Sequence, residues 1–185
     1  MYHRFLPHPS MHPVRPVITP ATRKVPVLLD RKANLIMTET QPDPARILAD
    51  GVATEPEFAH VRGMFSADHA TAWIGATITE LSLGHCKGSF VVRPEMCNGH
   101  GTAQGGFLYT FADSLFAGAC NSPGQPAVAA YNTIHYIAPA FEGDVIEGIA
   151  TTRESWGRNG IVDVTLTRNG EAIAEFRGTF RVIAK

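Results

Sequence analysis

Apolar and polar positions change rhythm twice along this chain. Between residues 43 and 75 they follow helical spacing: Phe58, Val61, Met64 or Phe65, then Ala72–Trp73. Asp43 ahead of Pro44 is a helix start, Gly51 a stop, and Gly63 or Ser66 an interruption. The rhythm then shortens. "ATITELSLG" and "CKGSFVVR" predict two strands joined by a turn at Gly84–His85. Beyond residue 121 come "AVAAYNTIHYIA", closed by Pro139, then "DVIEGIATTRESW", "IVDVTLTR" and "EAIAEFRGTFRVI". Asn159–Gly160 and Asn169–Gly170 predict tight hairpins between the last three.

Between the two sets of strands lies "GGFLYTFADSLFAGACN". Phe107, Leu108, Phe111, Ala112, Leu115, Phe116 and Ala119 cover most of a helical circumference, which predicts a buried helix from Gly105–Gly106 to Cys120–Asn121. Such a helix of about 16 residues is roughly 24 Å long. Hairpins imply an antiparallel sheet, and the lone helix must cover that sheet's apolar face. The expected class is α+β: a curved antiparallel sheet wrapped around a central helix, the hotdog fold, with N-terminal helices.

One strip of the helix differs from the rest. Gly106, Thr110, Asp113 and Ala117 recur at helical spacing and are small or polar. A carboxylate in apolar surroundings costs several kcal/mol unless it is paired or hydrogen-bonded. Asp113 therefore either bonds a neighbouring strand as a purely structural acid, titrates high, or faces a pocket holding water and substrate. The glycines favour the pocket. A helix N-terminus presents unpaired N–H groups and partial positive charge, and glycine lets a ligand approach them. A donor at the helix mouth and a carboxylate two turns along can polarise and attack an acyl carbonyl. A plain tight turn would use Gly105–Gly106 equally well.

Composition narrows the setting. Across 185 residues the net charge is −1, but residues 1–36 hold six Lys/Arg against Asp30 alone. The remainder is acidic, which argues against nucleic acid as a partner. Residues 1–36 also hold six of the thirteen prolines and are expected to form a disordered extension ahead of one domain at 37–185. Two readings of that segment stand: a start at Met37, or a targeting sequence, although it is Pro-broken and lacks the apolar core of a secretory signal. No apolar run approaches the roughly 18 residues of a membrane span. Cys86, Cys97 and Cys120 form no CxxC, which suits a reducing cytoplasm. His85, His100 and His135 lack metal-ligand spacing, so neither metal nor cofactor is expected.

"RPEMCNGHGTAQGGFLYTFADSLFAGACNS", "NTIHYIAPAFEGDVI" and "AEFRGTFRV" together resemble the PaaI-type hotdog thioesterases, the hydroxyphenylacetyl-CoA thioesterases of phenylacetate breakdown. The resemblance runs from about Ile74 to Val182. It implies hydrolysis of an aromatic acyl-CoA, with Asp113 as nucleophile or general base and the Gly105 N–H polarising the carbonyl. Asn98 would position water or thioester. It also implies a homotetramer, a dimer of dimers with each site built across a dimer interface. The family places His before the glycines. Gln104 stands there, which keeps a donor and an acceptor but carries no proton. That departure leaves a non-catalytic acyl-CoA sensor or carrier as the alternative. Arg158, Asn159 and Arg177 are candidates for the CoA phosphates, and Gly106 for substrate approach. Tyr131, Thr133 and His135 alternate onto one strand face, lining the acyl pocket or the sheet exterior.

Overall fold

A computed structural model of the chain describes residues 46–183. The expected 1–36 extension, the start at Met37 and the Asp43–Pro44 helix start lie outside the described residues.

The first departure from expectation is at Ile47–Ala49, which is not helical. Ala49 N–H donates to Ile78 O (2.9 Å) and Ile78 N–H to Ile47 O (2.7 Å), so the chain lies parallel along the sheet edge. Edge backbone groups need partners, and Ile47 is buried in the same step. Beyond this edge segment come a single 3-10 turn at Pro56–Phe58, then α1 (Ala59–Phe65) and α2 (His69–Ile74). The break falls at Ser66–Asp68, and Gly63 stays inside α1. Asp68 caps α2, accepting from Thr71 N–H (2.9 Å) and Thr71 Oγ1 (2.5 Å).

Six strands follow: β1 (Thr77–Ser82), β2 (His85–Val91), β3 (Ala127–Tyr136), β4 (Val145–Trp156), β5 (Asn159–Arg168) and β6 (Glu171–Val182). They form one sheet in the order β1-β2-β4-β5-β6-β3, and every pairing is antiparallel. The helix α3 (Gly105–Asn121) lies against it. Glycines seat the helix: a Cβ on Gly148 would sit 2.3 Å from Leu115 Cδ1, and one on Gly178 2.5 Å from Phe116 Cε2. Leu115 and Phe116 thus fill space that side chains would otherwise hold, and both are buried. Asn121 ties the far end down, its Oδ1 accepting from Ala127 N–H at 2.9 Å and its Nδ2 donating to Ala127 O at 3.1 Å.

Two of the expected turns shift. The β1–β2 turn is Leu83–Gly84, one residue early. The β4–β5 turn is Gly157–Arg158, with Asn159 and Gly160 already paired to Trp156 and Ser155. Gly160 is needed for a different reason: a Cβ there would lie 2.3 Å from the Phe180 ring. Asn169–Gly170 is the β5–β6 turn as expected, at φ 53° and 84°. A bulge between Ala129 and Tyr131 changes which β3 side chains face α3. Among the described residues no helix is long and apolar enough to cross a membrane.

Candidate active site

The approach to α3 is a braced loop. Asn98 Oδ1 accepts from His100 N–H at 2.9 Å, and Asn98 Nδ2 donates to Thr102 Oγ1 at 3.0 Å. The Asn98 amide therefore holds its own loop within this protomer. Gln104 N–H donates to Met96 O (2.8 Å), and Gln104 is the N-cap of α3 with an exposed side chain that makes no cap bond. Gly105 and Gly106 come next. Among the described residues neither N–H has an acceptor, as the first turn of a helix dictates.

The two glycines have opposite surroundings. Around Gly106 a Cβ would meet nothing within 4 Å. At Gly105 the same atom would be 2.8 Å from Tyr136 Cζ, and Tyr136 Oη donates to Gly105 O at 2.9 Å. Tyr136 thus fixes the helix mouth from β3. A cleft of about 560 Å³ opens here, lined by Gln104, Gly105, Gly106, Leu108, Tyr136 and Pro139 among others.

Asp113 is half-buried on the strip that also carries Gly106, Thr110 and Ala117, the least buried line along most of α3. Burial pushes its carboxyl above the ordinary range. A hydrogen bond from Asn132 Nδ2 to Asp113 Oδ1 (3.0 Å) opposes that rise, and the Asp68 charge adds to it. Asp68 is held nearby because Thr71 meets Ser114 Oγ at 2.7 Å, tying α2 to α3 one residue beyond Asp113. Cys120 is an inert neighbour: burial, then the Asp113 charge, pushes its thiol up to about 12.

Not every expected residue joins the site. Asp113 does not line the cleft at Gly105, because eight residues of helix separate the two by about 12 Å. Arg177 is engaged on the outer sheet face, its Nε and Nη2 donating to the two oxygens of Asp163 at 2.6 and 2.7 Å. Thr133 and His135 lie on that same outer groove. Arg158 is exposed at the Gly157–Arg158 turn, and Asn159 pairs across β5–β6 with Arg181. Asn132 and Tyr136 were missed by sequence reasoning. Their signal was period-two alternation on the β3 face opposite Tyr131, Thr133 and His135.

A sheet curled around one helix defines the hotdog fold, and an acid on the helix's open strip with amides unpaired among the described residues at its mouth suits acyl-group hydrolysis. Residues 100–174 match the family model described as "Thioesterase superfamily". The acyl-coenzyme A thioesterase PaaI of Escherichia coli (strain K12) is 32% identical over 120 residues, which are 64% of this chain and 86% of that protein. The structure of the E. coli PaaI protein superposes with a TM-score of 0.67 at 31% identity, covering 69% of this chain and 94% of that one. The smu.793 protein of Streptococcus mutans UA159, solved bound to acetyl CoA, gives 0.57 at 25% identity over 58% of this chain and 88% of that one. The chain belongs to the thioesterase superfamily, among its PaaI-like hotdog members, and is a thioester hydrolase.

Proposed function

We propose that this chain hydrolyses acyl-CoA thioesters, with an aromatic, phenylacetyl-type acyl group, to the free acid and CoA. The observation that carries the reading is the half-buried Asp113 carboxylate on the open strip of the helix whose mouth leaves the Gly105 and Gly106 N–H groups unpaired. Asp113 acts on the thioester carbonyl as nucleophile or as base for water. The Gly105 N–H polarises the carbonyl oxygen, and Asn98 and Gln104 position water or thioester.

A carboxylate and a donor about 12 Å apart on one helix cannot serve the same carbonyl. We therefore assign each site to two copies, Asp113 from one and the glycine mouth from the other. The outer edge of β3, which no strand among the described residues pairs, supports this pairing, since it presents Tyr131, 67% exposed, with Val128 and Ile137 beside it. Pairing of such dimers would give the tetramer. For the aromatic acyl group, support comes from Trp73, stacked on Phe107 at 5.7 Å with the Arg93 guanidinium over its ring. Arg158 and Asn159 remain the phosphate candidates. Arg177 is less suited, because Asp163 occupies its guanidinium. The free thiols Cys86, Cys97 and Cys120 support a reducing, cytoplasmic setting.

The test is thiol release from a panel of acyl-CoA substrates that includes phenylacetyl-CoA, with the parent protein and Asp113→Asn. The parent turns over, aryl-acetyl substrates fastest, and the variant retains CoA binding with turnover down by about 10² or more. Parent-like hydrolysis by Asp113→Asn would end the mechanism. Binding without turnover by the parent would favour the sensor or carrier.

A further inference from the structure

We infer that Asn132 is the positioning residue for Asp113, its amide N–H reaching from β3 across to α3 to hold the carboxylate in one orientation along the open strip. The inference rests on the reading of Asp113 as the acting carboxylate.

Three observations carry it. The first is aim. Ala127 and Ala129 pair with Val182 and Phe180, but the bulge advances β3 by one residue, so Asn132, not Tyr131 or Thr133, sits opposite Gly178 on the helix-facing side. Without that extra residue the strand's period of two would turn position 132 to the outer face. The second is confinement. A Cβ on Gly178 would lie 2.9 Å from Asn132 Oδ1 and 2.5 Å from Phe116 Cε2, so the amide fits only because position 178 is empty. The third is an unmet bond. Asn132 Oδ1 is buried and has no donor among the described residues, although Nδ2 is spent on Asp113 Oδ1 at 3.0 Å. An apolar side chain of the same size would fill the space without a buried unpaired oxygen, so what the amide adds here is the bond its nitrogen makes to Asp113.

Its effect on Asp113 follows from the neighbours. From α2, Asp68 faces Asp113 and opposes its ionisation, and on α3 the buried Cys120 thiol is neutral. β3 contributes no charge to this side, because His135 lies on the outer groove with Glu175 and Arg177. Asn132 is the one hydrogen-bond donor to the Asp113 side chain among the described residues, and it favours the ionised form against burial.

The experiment compares Asn132→Leu, near in volume with no donor, and Asn132→Ser, smaller and too short to reach, with the parent and Asp113→Asn. Folding is checked by circular dichroism, and kcat, KM and the pH profile are read by thiol release. The expected result for both Asn132 variants is a kcat lower by roughly tenfold or more, as loss of a bond to a charged group implies. KM stays within about twofold, and the acid limb of kcat/KM moves to higher pH. Folded Asn132→Leu or Asn132→Ser with the parent's kcat and acid limb, beside an inactive Asp113→Asn, overturns this inference alone. An active Asp113→Asn defeats the reading beneath it.

Discussion

Adding one methyl to Gly105 or to Gly106 should give opposite results, although the glycines are adjacent in one helical turn. At Gly106 the new Cβ meets nothing within 4 Å. Replacing helical Gly by Ala stabilises by up to about 1 kcal/mol, so Gly106→Ala is neutral or slightly more stable. At Gly105 the Cβ would lie 2.8 Å from Tyr136 Cζ and 3.0 Å from its hydroxyl, well inside the 3.5–4.0 Å of an ordinary carbon contact. The Tyr136 ring is 52% exposed and can swing outward, which keeps the steric cost near about 1 kcal/mol, the low end for overpacking. That swing breaks the bond from Tyr136 Oη to Gly105 O, a further cost of about 1 kcal/mol. Set against the helical gain, Gly105→Ala comes out destabilised by about 1 kcal/mol, roughly 2 kcal/mol apart from Gly106→Ala. Removing the ring as well, in Gly105→Ala/Tyr136→Ala, should release the clash and show as coupling between the two sites. Urea midpoints at one fixed protomer concentration measure this, because any association of copies makes stability depend on concentration. Thiol release should fall in Gly106→Ala despite its intact fold, since the methyl stands on the open strip at the mouth. Equal midpoints for the two single variants, or no coupling to Tyr136, would refute the packing argument.

Two further outcomes follow from the site. Burial holds the Asp113 carboxyl above its ordinary range in the fold, so between the unfolded and folded values the native chain binds more protons. Stability therefore falls as pH rises through that window. Asp113→Asn removes the cost: its Tm matches or exceeds the parent's at pH 7, and the gap closes as pH drops below the ordinary carboxylate value. A Tm below the parent's at pH 7 would contradict this. Arg158→Ala should raise KM for acyl-CoA by roughly 3- to 30-fold, the loss of one charge-assisted phosphate contact. Hydrolysis of the matching acyl-pantetheine, which lacks the nucleotide, should be unchanged. Equal losses on both substrates would place Arg158 away from the nucleotide.

The helix was legible in the sequence because its apolar residues cover most of a turn, and the gap at Gly106, Thr110, Asp113 and Ala117 marks the side that the sheet leaves open. The strands were legible from alternation, and Asn169–Gly170 because both residues must take positive φ. What escaped depends on distant partners. Gly160 looked like a turn glycine, but it makes room for Phe180 on β6. Arg177 looked like an available cation until strand register set Asp163 beside it. The β3 bulge inserts one unpaired residue that no local pattern announces, and it decides that Asn132 and Tyr136, not Thr133 and His135, face the helix. Ile47–Ala49 followed the edge of β1 because open backbone groups there outweigh the weak helical preference of a short segment.

On the proposed mechanism one helix carries both the acid and the amide mouth, and that has a consequence for symmetry. Gly105 and Asp113 are fixed eight residues apart by α3 itself, so no side-chain motion within a protomer can bring them to one carbonyl. If two copies pair as proposed, about a two-fold axis at the β3 edges, each acid is set against the other copy's mouth and the pair has two equivalent sites. Mixing inactive Asp113→Asn with a second inactive variant, Gly105 replaced by Val, should then restore activity. In the hybrid dimer one of the two sites combines an intact acid with an intact mouth, while the other holds both lesions. Random exchange makes half the dimers hybrid, so the mixture should regain about a quarter of parent turnover per protomer. A mixture that stays inactive after exchange is verified would mean that each chain completes its own site, and the inter-subunit arrangement would have to be abandoned.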